Sequence, residues 1–312
     1  MRVTMLAGGT GATKLSHGFA MLDDVDLTVV VNVGDDAEMH GLHVSPDIDA
    51  LLYTLAGLID TERGWGVRDD THTAHGMFER YGEPTWFTVG DADLATHATR
   101  SRLLREGTSL THATDAMASA LGIRARIIPA TDDRLRTCLD TDAGRLEFQE
   151  YFVKHRQQPE VSAVVLEGIE TARPTPSVLA AIETADLVVI GPSNPLVSIG
   201  PILALDGVRQ ALAATAARKV AVSPIIGGRA LKGPADRMLA SLGHEVSAVG
   251  VARIYAGLVD RFVLDEVDAA LAPAVAGLGM EATTLPTVMR TDADRAALAS
   301  ALMADGRAAA GG

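Results

Sequence analysis

The chain has 312 residues, enough for one large α/β domain or two ordinary ones, and 47% of them are apolar, which allows a sizeable core. Its formal net charge is −13 and it holds no block of five or more lysines or arginines, which argues against a nucleic-acid surface or an anionic membrane as the main partner. The lone Cys138 excludes an intrachain disulfide and a cysteine metal site and reads as a small buried residue, and no run of about 18 apolar residues marks a transmembrane span.

Val3–Ala7 reads as a strand, Gly8–Gly11 as a turn, and Ala12 to about Leu22 as a helix with Leu15, Phe19 and Leu22 on one face. A strand followed at once by glycines is not a signal peptide, so a cytoplasmic location is expected. Leu27–Val31 is the next strand. Its extended apolar run, with no polar alternation, suits burial on both faces of a parallel sheet.

From about residue 46 to 155 the pattern changes. Ile48–Leu58, His72–Tyr81, Asp93–Arg105 and Leu110–Leu121 read as helices, with weak strand candidates at Arg126–Pro129 and Arg145–Gln149. We read this stretch as a mostly helical insertion over the strand ends. Strands are then expected at Val161–Leu166, Leu187–Ile190, Val220–Val222 and Glu245–Val249, with helices Pro176–Thr184, Ile199–Ala217 and Pro234–Leu242 between them. Strands at Arg261–Leu264 and Glu281–Leu285, a helix at Ala293–Leu302 and a fraying small-residue tail complete the chain. The alternation predicts βαβ units in one α/β domain: a Rossmann-like three-layer sandwich with a mostly parallel sheet.

Several segments carry chemistry. Gly8, Gly9, Thr10 and Gly11 sit between strand and helix, where a backbone without Cβ atoms can approach a phosphate and a helix N-terminus offers N–H groups. The match to a dinucleotide fingerprint fails at Lys14, and no P-loop lysine closes the motif. The same glycines would serve a turn that merely packs helix on strand.

Five acids, Asp35, Asp36, Glu38, Asp47 and Asp49, fall within fifteen residues behind the second strand. Acids kept this close imply a cation between them or full screening by water. Asp35 and Asp36 suit a hard cation such as Mg2+ at the sheet's carboxyl edge, while Glu38 is expected to face water. If Ser45 or Asp47 caps the next helix, one of the later acids is structural.

Within Gly90–Ser101, His97 and Arg100 lie at i, i+3 on one helical face beside Thr96, offering an imidazole, a cation and a hydroxyl to a polar ligand. An ordinary surface helix gives the same pattern. Pro192, Ser193 and Asn194 follow an apolar strand and precede a helix, and Ser223 follows the next strand. Both positions suit a nucleotide or phosphate. Trp65 would stack on a flat ring or cap the core. His72 and His75 lack a third metal ligand.

The order of these motifs resembles the 2-phospho-L-lactate transferases of deazaflavin coenzyme (F420) biosynthesis, including the actinobacterial phosphoenolpyruvate-type transferases. The resemblance is carried along nearly the whole chain by Gly8–Gly11, Val31–Asp36, Ser45–Asp49, Gly64–Gly66, Gly90–Ser101, Ile190–Pro195, Ser198–Pro201 and Ser223–Ile226. It implies transfer of a phospho-three-carbon-acid group from its guanosine diphosphate-activated form to the ribityl hydroxyl of 7,8-didemethyl-8-hydroxy-5-deazariboflavin (Fo), with release of GMP and a need for Mg2+. Asp35 and Asp36 would then hold the metal. Asp49 would orient or deprotonate the hydroxyl, and Asp47 would stand beside it on the acceptor side. Thr96, His97 and Arg100 would face the deazaflavin or the acid's carboxylate, and the two loops would hold the nucleotide. Ala92 departs from the family, whose members tend to carry an arginine there, so Arg100 or Arg102 would have to substitute. A homodimer is expected. The alternative reading is a non-catalytic nucleotide-sugar-binding regulator of the same superfamily.

Overall fold

The computed structural model describes the backbone of residues 1–309 and the side chains of residues 1–304. Seven strands form a central sheet in the order Glu281–Leu285, Arg261–Asp265, Arg218–Val222, Leu187–Ile190, Arg2–Ala7, Asp26–Val31, Arg126–Pro129. Every neighbouring pair is parallel. The runs that read as continuously apolar are those buried on both faces: all of Leu187–Ile190 and all but the first residue of Arg2–Ala7 and of Asp26–Val31.

The chain order reverses beside Arg2–Ala7. Asp26–Val31 lies on one side of it and Leu187–Ile190 on the other. At such a reversal the loops leaving two neighbouring strands diverge to opposite faces and open a crevice at the carboxyl edge. The segments leaving here are Gly8–Gly11 and Gly191–Asn194, so the topology places two of the expected binding loops side by side.

Helices cover both faces. Gly9–Ala20 packs against Asp292–Ala309, and their close crossing depends on Gly18, where a Cβ would stand 2.2 Å from the Arg295 carbonyl oxygen. Between Asp26–Val31 and Arg126–Pro129 run the helices Pro46–Leu55, Thr73–Arg80, Asp91–Arg105 and Leu110–Ala120, the last packed on Arg126–Pro129, and after them comes a separate sheet of Arg136–Thr141, Gly144–Glu147 and Val161–Glu167.

Several expectations are corrected. Glu245–Val249 is not a strand: Ser247 caps a helix over Ala248–Tyr255, its Oγ accepting the Gly250 N–H at 3.1 Å. Six of that helix's eight residues are buried, and a short apolar run has no period that tells such a helix from a strand. Val161–Leu166 is a strand, but it pairs antiparallel with Arg136–Thr141 in the small sheet rather than joining the central one. Arg126–Pro129, read as part of the insertion, is the edge of the central sheet. The long helix expected over Ile199–Ala217 is two, Gly200–Ala204 and Val208–Ala214, because Gly207 between them takes a left-handed φ of 90°. The first helix begins at Gly9, inside the glycine run rather than after it. The C-terminal helix outlasts its expected end at Leu302, reaching Ala309, and the rest of the expected tail lies outside the described residues.

Candidate active site

A cavity of about 680 Å³ opens at the carboxyl edge of the sheet. Its floor is the junction of the two diverging loops, which touch so closely that their glycines are obligatory. A Cβ on Gly11 would stand 2.1 Å from the Pro192 carbonyl oxygen, and one on Gly191 would stand 2.6 Å from the Ala12 Cβ. Ser193 Oγ donates to the Gly8 carbonyl. Gly8, Gly9, Thr10, Gly11, Pro192, Ser193, Asn194 and Ser223 all line the cavity. Gly11, which packs the turn on the Pro192 carbonyl, therefore also lines the cavity.

The acids divide differently from the expectation. Asp35 lines the cavity, is buried, and leaves Oδ1 without a hydrogen-bond partner. Burial first, and then the neighbouring Asp47 and Asp36, hold its carboxyl well above the ordinary carboxylate range. Asp36 does not line the cavity. Its Oδ1 accepts from Ser45 Oγ at 2.5 Å and its Oδ2 lies 2.9 Å from His43 Nε2, so both oxygens already bind protein. Glu38 is exposed, as expected.

Asp47, in the first turn of Pro46–Leu55, reaches out of its own helix. It accepts the Gly9 N–H at 2.6 Å and the Asn32 side-chain amide at 3.1 Å, tying the glycine turn to the end of the second strand. Burial pushes its carboxyl up to about 6, against the lowering effect of those two bonds. No side-chain cap forms at the start of this helix, so Asp47 is not spent as a cap.

Asp49 lines the cavity, but Arg100 holds both of its oxygens, with Nη1 3.2 Å from Oδ2. Arg100 is fully buried and does not line the cavity, contrary to the expectation that it faces substrate. Nor does Arg102, which pairs with Glu106 on the surface. Neither replaces the arginine missing at Ala92. Thr96 also lies off the cavity wall.

His97 does face the cavity. Its Nδ1 lies 3.4 Å from Asp49 Oδ2 and its Nε2 lies 3.4 Å from Asp93 Oδ2, neither contact aligned as a hydrogen bond. Asp93 also takes the Tyr53 hydroxyl at 2.7 Å. Against the cost of burial, His97, Tyr53 and Arg100 hold its carboxyl below the ordinary range. Asp93, His97 and Arg100 occupy i, i+4 and i+7 of Asp91–Arg105, one face of one helix. Asp93, Asn32, Tyr53 and Gln149, which lines the cavity and whose side-chain amide donates to the Asp35 carbonyl at 3.3 Å, were missed in the sequence. Asp93 alone had a signal there, its spacing from His97.

Trp65 lies at the cavity wall, 48% exposed, with the Arg63 guanidinium 5.7 Å from its ring centre. It therefore does not cap the core. His72 and His75 meet edge to face away from the cavity, and Cys138 is a free buried thiol.

A family model described as 2-phospho-L-lactate transferase CofD matches residues 3–287. The chain belongs to the CofD family. Similar members are a phosphoenolpyruvate transferase of Streptomyces griseus, 41% identical over 95% of both chains, and a 2-phospho-L-lactate transferase of Methanococcoides burtonii, 40% identical over 92% of this chain and 94% of that one. A 2-phospho-L-lactate transferase of Methanothermobacter thermautotrophicus is 39% identical over 97% of both. Among solved structures, a Bacillus halodurans protein of the UPF0052 family superposes with a TM-score of 0.66 at 16% identity, over 97% of this chain and 98% of that one. At that identity the likeness extends to the fold alone. Among the described residues no group of three or more histidine, cysteine, aspartate or glutamate side chains is arranged to hold a metal, and no helix is long and apolar enough to cross a membrane.

Proposed function

We propose that this chain transfers a phospho-three-carbon-acid group, 2-phospholactate or phosphoenolpyruvate, from its guanosine diphosphate-activated form to the ribityl hydroxyl of Fo, releasing GMP. The observation that carries the reading is one cavity lined at once by the Gly8–Gly11 turn, the Pro192–Asn194 loop and the buried acids Asp35, Asp47 and Asp49. Glycine backbone at the reversal of the sheet suits a diphosphate. Phosphoryl-type transfer asks mainly for positioning and charge neutralisation, which such a cavity supplies.

The residues fit a resident Mg2+. Asp35 Oδ1 is buried and unpartnered, and burial, with Asp47 and Asp36 close by, holds its carboxyl high. A hard cation held by one or two carboxylates, with substrate oxygens for the rest, needs no larger protein cluster. We assign Asp35 to that role with Asp47 beside it, and Asp36 to holding Ser45 and His43. When bound, the ion would neutralise charge building on the transferred phosphorus. Asp49, with both oxygens on Arg100, suits orienting the acceptor hydroxyl and the His97 ring rather than taking a proton. Magnesium dependence, a guanosine diphosphate donor, a homodimeric state and a cytoplasmic location come with this reading from the family resemblance.

The test is direct. Purified protein, Fo, Mg2+ and each activated acid in turn are mixed, deazaflavin fluorescence is followed, and the product is weighed by mass spectrometry. A mass gain on Fo with one acid supports the reading and names the acid. No binding of Fo, or binding of a UDP-sugar in its place, sinks it in favour of a regulator.

A further inference from the structure

The cavity has a second charged wall that the glycine turn and the acids do not account for. Lys14, Arg63, Lys232 and Arg290 all line it, from four separate parts of a chain whose net charge is −13. The lysines reach no carboxylate among the described residues: Lys14 Nζ donates to the Met289 carbonyl at 3.1 Å, and Lys232 Nζ to the Arg63 carbonyl at 3.4 Å. Arg63 is shared with Asp60 at 3.4 Å.

These contacts draw the wall together at one place. A Cβ on Gly64 would stand 2.8 Å from Lys232 Nζ and 3.9 Å from Thr10 Cγ2, so Lys232 and the Arg63 loop meet over the glycine turn. Lys14 lies one helical turn past Thr10, and its bond to Met289 brings in the segment carrying Arg290. Burial, Arg295 and Lys232 all lower the Lys14 ammonium, which is the signature of like charges held close without an anion.

We propose that Lys14, Lys232 and Arg290 form the subsite for the anionic part of the donor, its diphosphate together with the carboxylate of the attached acid. The assignment rests on the transferase reading. A diphosphate diester carries one negative charge per phosphorus and the acid adds one more, which matches the three cations. The glycine turn alone offers only neutral N–H groups, and Asp47 already occupies that of Gly9. Ammonium and guanidinium groups supply charge-assisted bonds that neutral donors do not.

Titration calorimetry with GDP and with guanosine, at low and high salt, tests the subsite on wild type, Lys14→Met, Lys14→Arg and Lys232→Met. Each methionine variant is expected to bind GDP about tenfold more weakly or worse, with a shallower salt dependence and unchanged guanosine affinity, while Lys14→Arg keeps most of the GDP affinity. Wild-type GDP affinity in both methionine variants would overturn the assignment and leave the transferase reading standing. Equal losses for GDP and guanosine would overturn it too, since that marks a structural role. GDP held through these lysines by a protein that never modifies Fo would leave the subsite and sink the transferase.

Discussion

Arg100, fully buried, holds both carboxylate oxygens of Asp49, which is itself buried but for its edge at the cavity wall. Removing one partner strands the other charge in a low dielectric. Arg100→Met is therefore expected to lower stability by about 3–5 kcal/mol, read as a fall in the urea midpoint at neutral pH. Asp49→Asn with Arg100→Met together should recover part of that loss. A single-variant loss under about 1 kcal/mol would mean the pair is far more hydrated than its burial implies.

Asp35 gives a pH dependence with a definite sign. Its folded carboxyl sits well above the ordinary value of 3.8, so the folded state binds a proton that the unfolded chain has released. The contribution of this carboxyl to stability is then fully present below about pH 3.8 and is lost as pH rises through its raised folded value. In metal-free protein, Asp35→Asn should make this slope shallower, leaving the share that belongs to Asp47, and should raise stability at neutral pH. The same variant should lose Mg2+-dependent turnover. Denaturation in a chelator at two pH values checks the first outcome. A parallel slope in variant and wild type would clear Asp35 of the strain.

Two glycines separate close approach from helix propensity. Gly11→Ala drives a Cβ into the Pro192 carbonyl, backbone against backbone, and should cost about 1–3 kcal/mol while forcing the two loops apart and weakening nucleotide binding. Gly76, inside the helix Thr73–Arg80, has nothing within 4 Å of its would-be Cβ. Gly76→Ala should instead stabilise by about 0.8–1 kcal/mol and leave binding alone. Thermal unfolding of both variants decides the contrast, and equal effects would refute it.

The sequence made the sheet legible where its strands are buried on both faces, because Leu187–Ile190 and Leu27–Val31 are short runs rich in β-branched residues with no polar alternation, which suits such burial. It misplaced Val161–Leu166 because a strand's own residues do not name its partner. The glycine turn of the site was legible for the same reason that it is constrained: Gly11 must lack a Cβ for its backbone to meet the Pro192 carbonyl. Arg100 was misread because helical spacing gives the face a residue shares with His97, not what that face meets. Lys14 and Lys232 had no local pattern at all. They become neighbours only when Gly64 and Thr10 are brought together by the fold.

Trp65 offers the last measurement. One side of its ring carries the Arg63 guanidinium, and the residue stays half-exposed on the cavity wall. An aromatic side chain held open at a binding cavity is placed to stack on a flat ring, and such stacking is worth about 1–3 kcal/mol per base. Trp65→Ala should weaken binding of either Fo or GDP by about tenfold or more, and Trp65→Phe should restore most of it. Because Trp86 is the only other tryptophan, the emission lost in Trp65→Ala identifies the Trp65 signal. Titrating each ligand against that signal shows which ring stacks. If neither ligand changes Trp65 emission, and Trp65→Ala binds both normally, the side chain takes no part in recognition.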